Sequence, residues 1–237
     1  MSLLDSLKKL LGPSVPETTA DRGAASRERP LAVQPRARRV LCSGPHGLHD
    51  MAYMEWGEPD NPRVLVCVHG LTRNGRDFDD LARALADEYR VVCPDVVGRG
   101  RSDWLADKAD YGFPVYVADM VTLIARLDVE EVHWVGTSMG GIIGMLLASQ
   151  AGTPITRLVL NDVGPVITAA SLRRIGQYVG RAPRFADVNA AEAYIREVGA
   201  PFGALTDAQW RHLTEYSVRR MDDAEGGYAM IYDPGLG

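Results

Sequence analysis

The chain has 237 residues, of which 46% are hydrophobic, enough to bury the core of one large α/β domain with an insertion or of two small domains. Its formal net charge of −5 gives no electrostatic reason to expect binding to nucleic acid or to a membrane surface. No apolar run approaches the roughly 20 residues of a membrane-spanning helix. The three cysteines show no metal-ligand spacing, and Cys67 and Cys93 lie inside apolar runs, as buried cysteines of a reducing compartment do. We therefore expect a cytoplasmic protein.

The first 38 residues differ in composition from the rest of the chain. Five leucines fall on one face of a short helix: Leu3, Leu4, Leu7, Leu10 and Leu11. A stretch rich in Pro, Ala, Ser and Arg follows, and it cannot bury much apolar surface. Acidic residues are spread through the segment, which argues against a targeting peptide. We interpret residues 1–38 as a disordered or weakly helical tail.

Residues 39–165 alternate between predicted strands and predicted helices. The strands are predicted at residues 40–42, 51–57, 64–68, 90–95, 132–135 and 155–162. Helices are predicted from the apolar spacing within residues 78–85 and 117–127, and a third begins at Ser138. The run 64–68 is entirely apolar, as expected for a strand that is buried on both faces of a sheet. Alternating strands and helices form right-handed βαβ units, so this region predicts a mostly parallel, doubly wound sheet.

The most informative stretch is the pentapeptide Gly136-Thr137-Ser138-Met139-Gly140, which lies between an apolar strand and an apolar helix. This is the pattern of a nucleophile elbow, which holds a serine on a sharp strand-to-helix turn. Glycine is needed two residues before and two after the serine because neighbouring backbone leaves no room for a Cβ. The N-terminus of the following helix favours negative charge beside the serine.

Residues 166–237 show a different pattern, with three predicted helices and no predicted strand. The helices are expected at residues 168–179, 190–198 and 206–221, the last opened by a capping box of Thr206 and Gln209. We interpret this region as a helical cap over the domain formed by residues 39–165. This region contains four arginines: Arg173, Arg174, Arg181 and Arg184. They could bind an acidic substrate or lie on solvent-exposed helix faces, and the second interpretation is favoured.

Four motifs, in order, carry a resemblance to a known family. They are His69-Gly70 after the third strand, residues 98–103 (GRGRSD) after the fourth, the Ser138 elbow after the fifth, and residues 161–165 (NDVGP) after the sixth. With them, residues 39–237 resemble the α/β-hydrolase superfamily, in particular capped serine hydrolases of the esterase, lactonase and carbon–carbon hydrolase type. The implied fold is the α/β-hydrolase fold with a helical cap.

The resemblance also implies roles for individual residues. Ser138 would be the nucleophile, and the backbone N–H groups of Leu71 and Met139 would form the oxyanion hole, with His69 and Gly70 shaping the supporting loop. The implied reaction is hydrolysis of a carboxylic ester or related acyl bond in a small molecule, through an acyl-enzyme and without metal or organic cofactor. A serine at the elbow excludes the haloalkane dehalogenases and epoxide hydrolases of this superfamily, which use aspartate there.

The sequence departs from the family where the acid and the histidine of the triad are expected. Two further strands should follow the cap and carry them, which predicts a catalytic domain cut off at the end of its cap. Asp162 and His212 complete a triad with Ser138 only formally, because His212 lies in the middle of a predicted cap helix. The last strand, 155–162, would then be an exposed edge through which a second chain could pair. The alternatives are a non-catalytic binding protein of the same fold and a carbon–carbon bond hydrolase.

Overall fold

The computed structural model describes residues 34–237, so residues 1–33 of the predicted tail, which spans residues 1–38, lie outside the described residues. Six strands form the main sheet: β1 (Arg36–Gly44), β2 (Gly47–Trp56), β3 (Val64–Val68), β4 (Arg90–Pro94), β5 (Val132–Thr137) and β6 (Ile155–Asn161). Their order is β1-β2-β4-β3-β5-β6. The pairs β4–β3, β3–β5 and β5–β6 are parallel, and β1 and β2 form an antiparallel hairpin at one side. The sheet is mostly parallel, as predicted.

The central strand β3 shows why this sequence forms a two-sided sheet. All five of its residues are buried. Val64, Val66 and Val68 pack into the hydrophobic cluster on one face, whereas Leu65 and Cys67 pack into the cluster on the other. Successive side chains of a strand point to opposite faces, so a strand covered on both sides has no polar position.

Three helices cover the two faces of the sheet: α1 (Asp79–Leu85), α2 (Phe113–Leu127) and α3 (Met139–Ala148). Helix α2 buries Met120, Leu123 and Leu127, whose spacing of three and four residues places them on one helical face. Helix α3 begins directly after Ser138, and its buried Ile143 joins the same cluster as Met120. None of the helices in the described part of the chain has the length and apolarity that a bilayer crossing requires.

Residues 166–237 contain helices and a small sheet, so the expectation of an all-helical segment is wrong. The helices are α4 (Ala169–Ile175), α5 (Val188–Val198) and α6 (Asp207–Glu215), and the strands are β7 (Arg184–Phe185), β8 (Val218–Arg220) and β9 (Tyr228–Met230), ordered β7-β9-β8. The capping box of Thr206 and Gln209 is confirmed. The helix predicted to reach Met221 ends at Glu215, because residues 218–220 instead pair with 228–230. Strands of two or three residues show no periodicity that could have revealed them.

The first strand also begins earlier than predicted, at Arg36 rather than near residue 39. Its first four residues are not buried, so they lack the apolar signal of a strand. They are held by backbone pairing with β2 and by Glu55, a buried carboxylate to which Arg36 donates over 3.1 Å. A buried ion pair between charged residues thus replaces the hydrophobic pattern here.

Candidate active site

Ser138 lies between the end of β5 and the start of α3, with φ 50° and ψ −113°. Non-glycine residues seldom adopt positive φ, and such strain persists only where the surrounding structure imposes it. The glycines of the pentapeptide make the turn possible. A Cβ on Gly136 would lie 2.4 Å from the carbonyl oxygen of Gly140, and a Cβ on Gly140 would lie 2.1 Å from that of Val68. The strained conformation holds the serine at the carboxyl edge of the sheet.

Backbone hydrogen bonds tie the Ser138 turn to both neighbouring strands. The Ser138 N–H donates to the carbonyl oxygen of Asn161 at the end of β6, over 2.9 Å. On the other side, the Gly140 N–H donates over 3.1 Å to the carbonyl oxygen of His69, which follows β3. The turn is therefore fixed relative to the loop that begins at His69.

The backbone N–H groups of Leu71 and Met139 have no hydrogen-bond partner in the described part of the chain. Met139 is the first residue of α3, where backbone N–H groups have no partner inside the helix. Gly70 lies next to Ser138, because a Cβ at residue 70 would be in van der Waals contact, 3.7 Å, with the Cβ of Ser138.

His69 is fully buried, and its side chain holds the loop that carries Leu71. Its Nδ1 donates to the carbonyl oxygen of Gly70 over 2.7 Å, and its Nε2 accepts the N–H of Val96 over 2.9 Å. These partners require the neutral ring with the proton on Nδ1. Burial lowers the pKa of His69 to about 4, so the ring is uncharged near neutral pH. Both ring nitrogens are thus occupied away from the Ser138 hydroxyl.

The other four histidines make their contacts away from Ser138. His46 contacts Asp110, His49 contacts Asp119, and the His133 ring packs 5.6 Å from the Tyr89 ring. His212 donates from Nε2 to the carbonyl oxygen of Arg76 over 3.1 Å and lies 3.4 Å from Asp79. Among the described residues no histidine hydrogen-bonds to Ser138, and His212 and Asp162 are not brought together as a triad.

Two clusters have donor atoms close enough to hold a cation. Cys42, His49 and Asp119 are buried with their donor atoms within 4.8 Å of one another, and His46, Asp107 and Asp110 form a more exposed group. In the buried group, His49 Nε2 lies 3.0 Å from both oxygens of Asp119, which fastens the β1–β2 hairpin to α2. Burial and the charge of Asp119 raise the pKa of Cys42 to about 12. A thiol held neutral is a poor metal ligand, so we read this group as a hydrogen-bonded structural contact.

Sequence reasoning missed two buried residues next to the site, Asp95 and Arg99. Asp95 accepts the N–H of Gly75 over 2.8 Å and that of Arg101 over 2.9 Å, and burial raises its pKa to about 6. Arg99 donates to the carbonyl oxygen of Leu71 over 2.8 Å. The only sequence signal was the motif GRGRSD, in which an arginine sits between two glycines that both adopt positive φ.

Comparison with known proteins places these features in one family. The family model described as the alpha/beta hydrolase fold matches residues 63–214. The chain is 53% identical over 207 residues to a protein of Cupriavidus necator named 3-hydroxybutyrate-oligomer hydrolase, an alignment covering 87% of this chain and 71% of that protein.

Two solved structures are similar over most of the chain. One is described as a putative hydrolase from Rickettsia typhi, with 34% identity and a TM-score of 0.79, covering 86% of this chain and 73% of that one. The other is an alpha/beta hydrolase from Novosphingobium aromaticivorans, with 34% identity and a TM-score of 0.74, covering 85% of this chain and 70% of that one.

Proposed function

The chain belongs to the α/β hydrolase fold family and is a hydrolase, and within that family we propose that it cleaves carboxylic esters through Ser138 and an acyl-enzyme. The observation that carries the proposal is the strained backbone of Ser138, with φ 50° and ψ −113°, at a strand-to-helix turn. Strain of this kind costs about 1–3 kcal/mol and is concentrated at active sites. A serine used only as a turn residue would gain nothing from it.

The proposed chemistry begins with attack of the Ser138 oxygen on the ester carbonyl carbon. The carbonyl oxygen gains negative charge and rests on the N–H groups of Leu71 and Met139, both of which lack a partner within residues 34–237. Collapse of the tetrahedral intermediate expels the alcohol and leaves an acyl-serine, which water hydrolyses. No histidine, in the position that the structure gives it, is assigned as the acceptor of the Ser138 hydroxyl proton.

For the substrate, we propose short linear esters of hydroxy acids. The support is the 53% identity to a protein named for hydrolysis of 3-hydroxybutyrate oligomers. In such an oligomer every internal linkage is an ester and one end is a carboxylate. Residues 166–237 would form the cap that selects among these esters, since Tyr216 and Ser217 there contact Asn74 and Arg73 in the loop that follows Leu71.

The experiment compares the full chain with two serine variants. We expect the chain to react with a fluorophosphonate probe, and we expect Ser138→Ala to abolish this labelling together with any hydrolysis of 3-hydroxybutyrate dimer and trimer. The matched control is Ser149→Ala, which removes the hydroxyl at the opposite end of α3, where it bonds only to the carbonyl oxygen of Leu146. Equal activity and labelling in the Ser138→Ala variant would contradict the proposal.

A second candidate is a binding protein of the same fold without catalysis. It is favoured by one observation: no histidine of residues 34–237 contacts the Ser138 hydroxyl. That reading predicts that the chain binds hydroxybutyrate oligomers and leaves them intact, with no probe on Ser138. Isothermal titration calorimetry alongside the hydrolysis assay separates the two functions.

A further inference from the structure

Arg99 is one of the largest fully buried side chains of the described structure. It lies in the loop after β4, between Gly98 and Gly100, whose φ angles are 85° and 55°. Neither glycine can be replaced freely, because a Cβ at 98 would meet the Tyr111 ring and a Cβ at 100 would meet the Asp95 carboxylate. The loop is thus built to turn a guanidinium into the interior, next to the residues that flank Ser138.

The guanidinium is hydrogen-bonded only to neutral groups. Its Nε donates to the carbonyl oxygen of Leu71 over 2.8 Å, its Nη1 to that of Val97 over 2.7 Å, and its Nη2 lies 3.5 Å from the sulfur of Met139. Its carbon lies 4.9 Å from the centre of the Tyr116 ring. Among residues 34–237 no carboxylate lies within ion-pair distance of it, and the carboxylate that acts on its charge from further away, that of Asp233, is itself paired with Lys108. Burial lowers the pKa of Arg99, but an arginine stays protonated at neutral pH.

These contacts hold Leu71 from both sides. The carbonyl oxygen of Gly70, which belongs to the same peptide unit as the Leu71 N–H, accepts hydrogen bonds from His69 Nδ1 and from the Arg73 N–H. The next carbonyl, that of Leu71 itself, is held by Arg99. With both peptide units fixed, the direction of the Leu71 N–H is fixed as well. Arg99 also touches the side chain of Met139, the residue that carries the second free amide.

We propose that Arg99 is a positioning residue of the oxyanion site: it fixes the Leu71 amide and places a buried positive charge behind it. The inference rests on the proposed function, because it assigns the Leu71 and Met139 amides to the oxyanion. A fixed charge in a buried, low-dielectric environment acts on a developing oxyanion more strongly than it would in water. A purely structural Arg99 would join two loops without favouring negative charge at the amides.

The test measures binding of a product, which needs no turnover. (R)-3-hydroxybutyrate and its neutral carboxamide are titrated into the ¹⁵N-labelled full chain while the Leu71 and Met139 amide resonances are followed. We expect both resonances to move and the carboxylate to bind at least about ten-fold more tightly than the carboxamide, a preference that a charge behind the amides produces. Equal affinity of the unsubstituted protein for the two ligands would overturn the proposal without any variant.

Two variants distinguish the effect of the Arg99 charge from the effect of its hydrogen bond to the Leu71 carbonyl oxygen. Arg99→Gln keeps a donor for the Leu71 carbonyl and loses the charge, so the preference for carboxylate over carboxamide should fall to about unity; Arg99→Lys should retain most of it. Arg90→Met is the matched control, since it removes a guanidinium from the opposite end of β4 and should leave the preference unchanged. If Arg99→Gln keeps the full preference, Arg99 is structural. If neither ligand moves the Leu71 or Met139 resonance in the unsubstituted protein, the oxyanion assignment itself fails.

Discussion

The backbone N–H of Gly140 donates to the carbonyl oxygen of His69 over 3.1 Å, which joins the first turn of the helix after Ser138 to the loop that carries Leu71. The bond fixes Ser138 and the two free amides relative to one another through the backbone alone. It requires residue 140 to approach β3 closely, and only glycine can do so because a Cβ there would lie 2.1 Å from the Val68 carbonyl oxygen.

Gly140→Ala should therefore destabilise the protein and disable the site together. Overpacking against backbone costs about 1–3 kcal/mol, and relief of the clash must move α3 away from His69. We expect a lower urea midpoint and a loss of Ser138 labelling by fluorophosphonate in the protein that remains folded. The control is Gly164→Ala, because a Cβ at residue 164 has no neighbour within 4 Å. A Gly140→Ala variant with unchanged midpoint and labelling would refute this account of the elbow.

How much the sequence could predict depends on whether a residue acts through local spacing or through distant partners. The elbow was predictable because Gly136, Ser138 and Gly140 lie close together in the sequence. Each of the two glycines is required because a Cβ at its position would clash with neighbouring backbone. The strand at 64–68 was predictable because all its positions are apolar. Arg99 was not predictable in this way, since its partners Leu71 and Met139 are 28 and 40 residues away along the chain. The strands at 218–220 and 228–230 are too short for periodicity and depend on pairing with each other.

The His49–Asp119 contact predicts a large loss of stability when one partner is removed. Both side chains are buried, and His49 Nε2 faces both carboxylate oxygens at 3.0 Å. Asp119→Ala leaves a buried imidazole without its acceptor, which typically costs about 1–3 kcal/mol. Urea unfolding should show the loss. His46→Ala removes an exposed histidine that also contacts a carboxylate, Asp110, and should leave the midpoint nearly unchanged. Similar decreases of the urea midpoint in the two variants would contradict the stabilising role given to the buried His49–Asp119 contact.

Asp95 predicts a pH dependence of stability with a definite sign. Burial raises its pKa from 3.8 to about 6, so between these values the folded state holds the proton more tightly than the unfolded state. The stabilisation is therefore complete below pH 3.8 and is lost as the pH rises through about 6, with a slope of up to about 1.4 kcal/mol per pH unit. His69, whose pKa is lowered to about 4, contributes with the opposite sign from pH 4 to 6.5 and partly masks this trend.

A difference measurement isolates Asp95 from the other groups. The free energy of unfolding of the unsubstituted protein minus that of Asp95→Asn should fall as the pH rises from 4 to 6, because all other titrations are common to both proteins. Asp80→Asn serves as control, since Asp80 is exposed and its side chain meets only Arg83. A difference that is flat or rises with pH would show that the hydrogen bonds from Gly75 and Arg101 outweigh burial.

Because one edge of strand β6 is unpaired within residues 34–237, we expect the chain to self-associate. Within residues 34–237 β6 pairs only with β5, and Leu158, Val159 and Leu160 along it are only partly covered. A strand with one unpaired edge is a template for pairing with another strand, and charged side chains on it oppose pairing; β6 carries one such charge, the exposed Arg157, and a second would oppose pairing further. We expect a concentration-dependent monomer–dimer equilibrium in sedimentation velocity, shifted to monomer by Leu160→Lys. Leu48→Lys should not shift it, because Leu48 is more exposed, at 69% against 36%, but lies in the β1–β2 hairpin at the opposite side of the sheet. A chain that stays monomeric at every concentration would show that this edge does not pair.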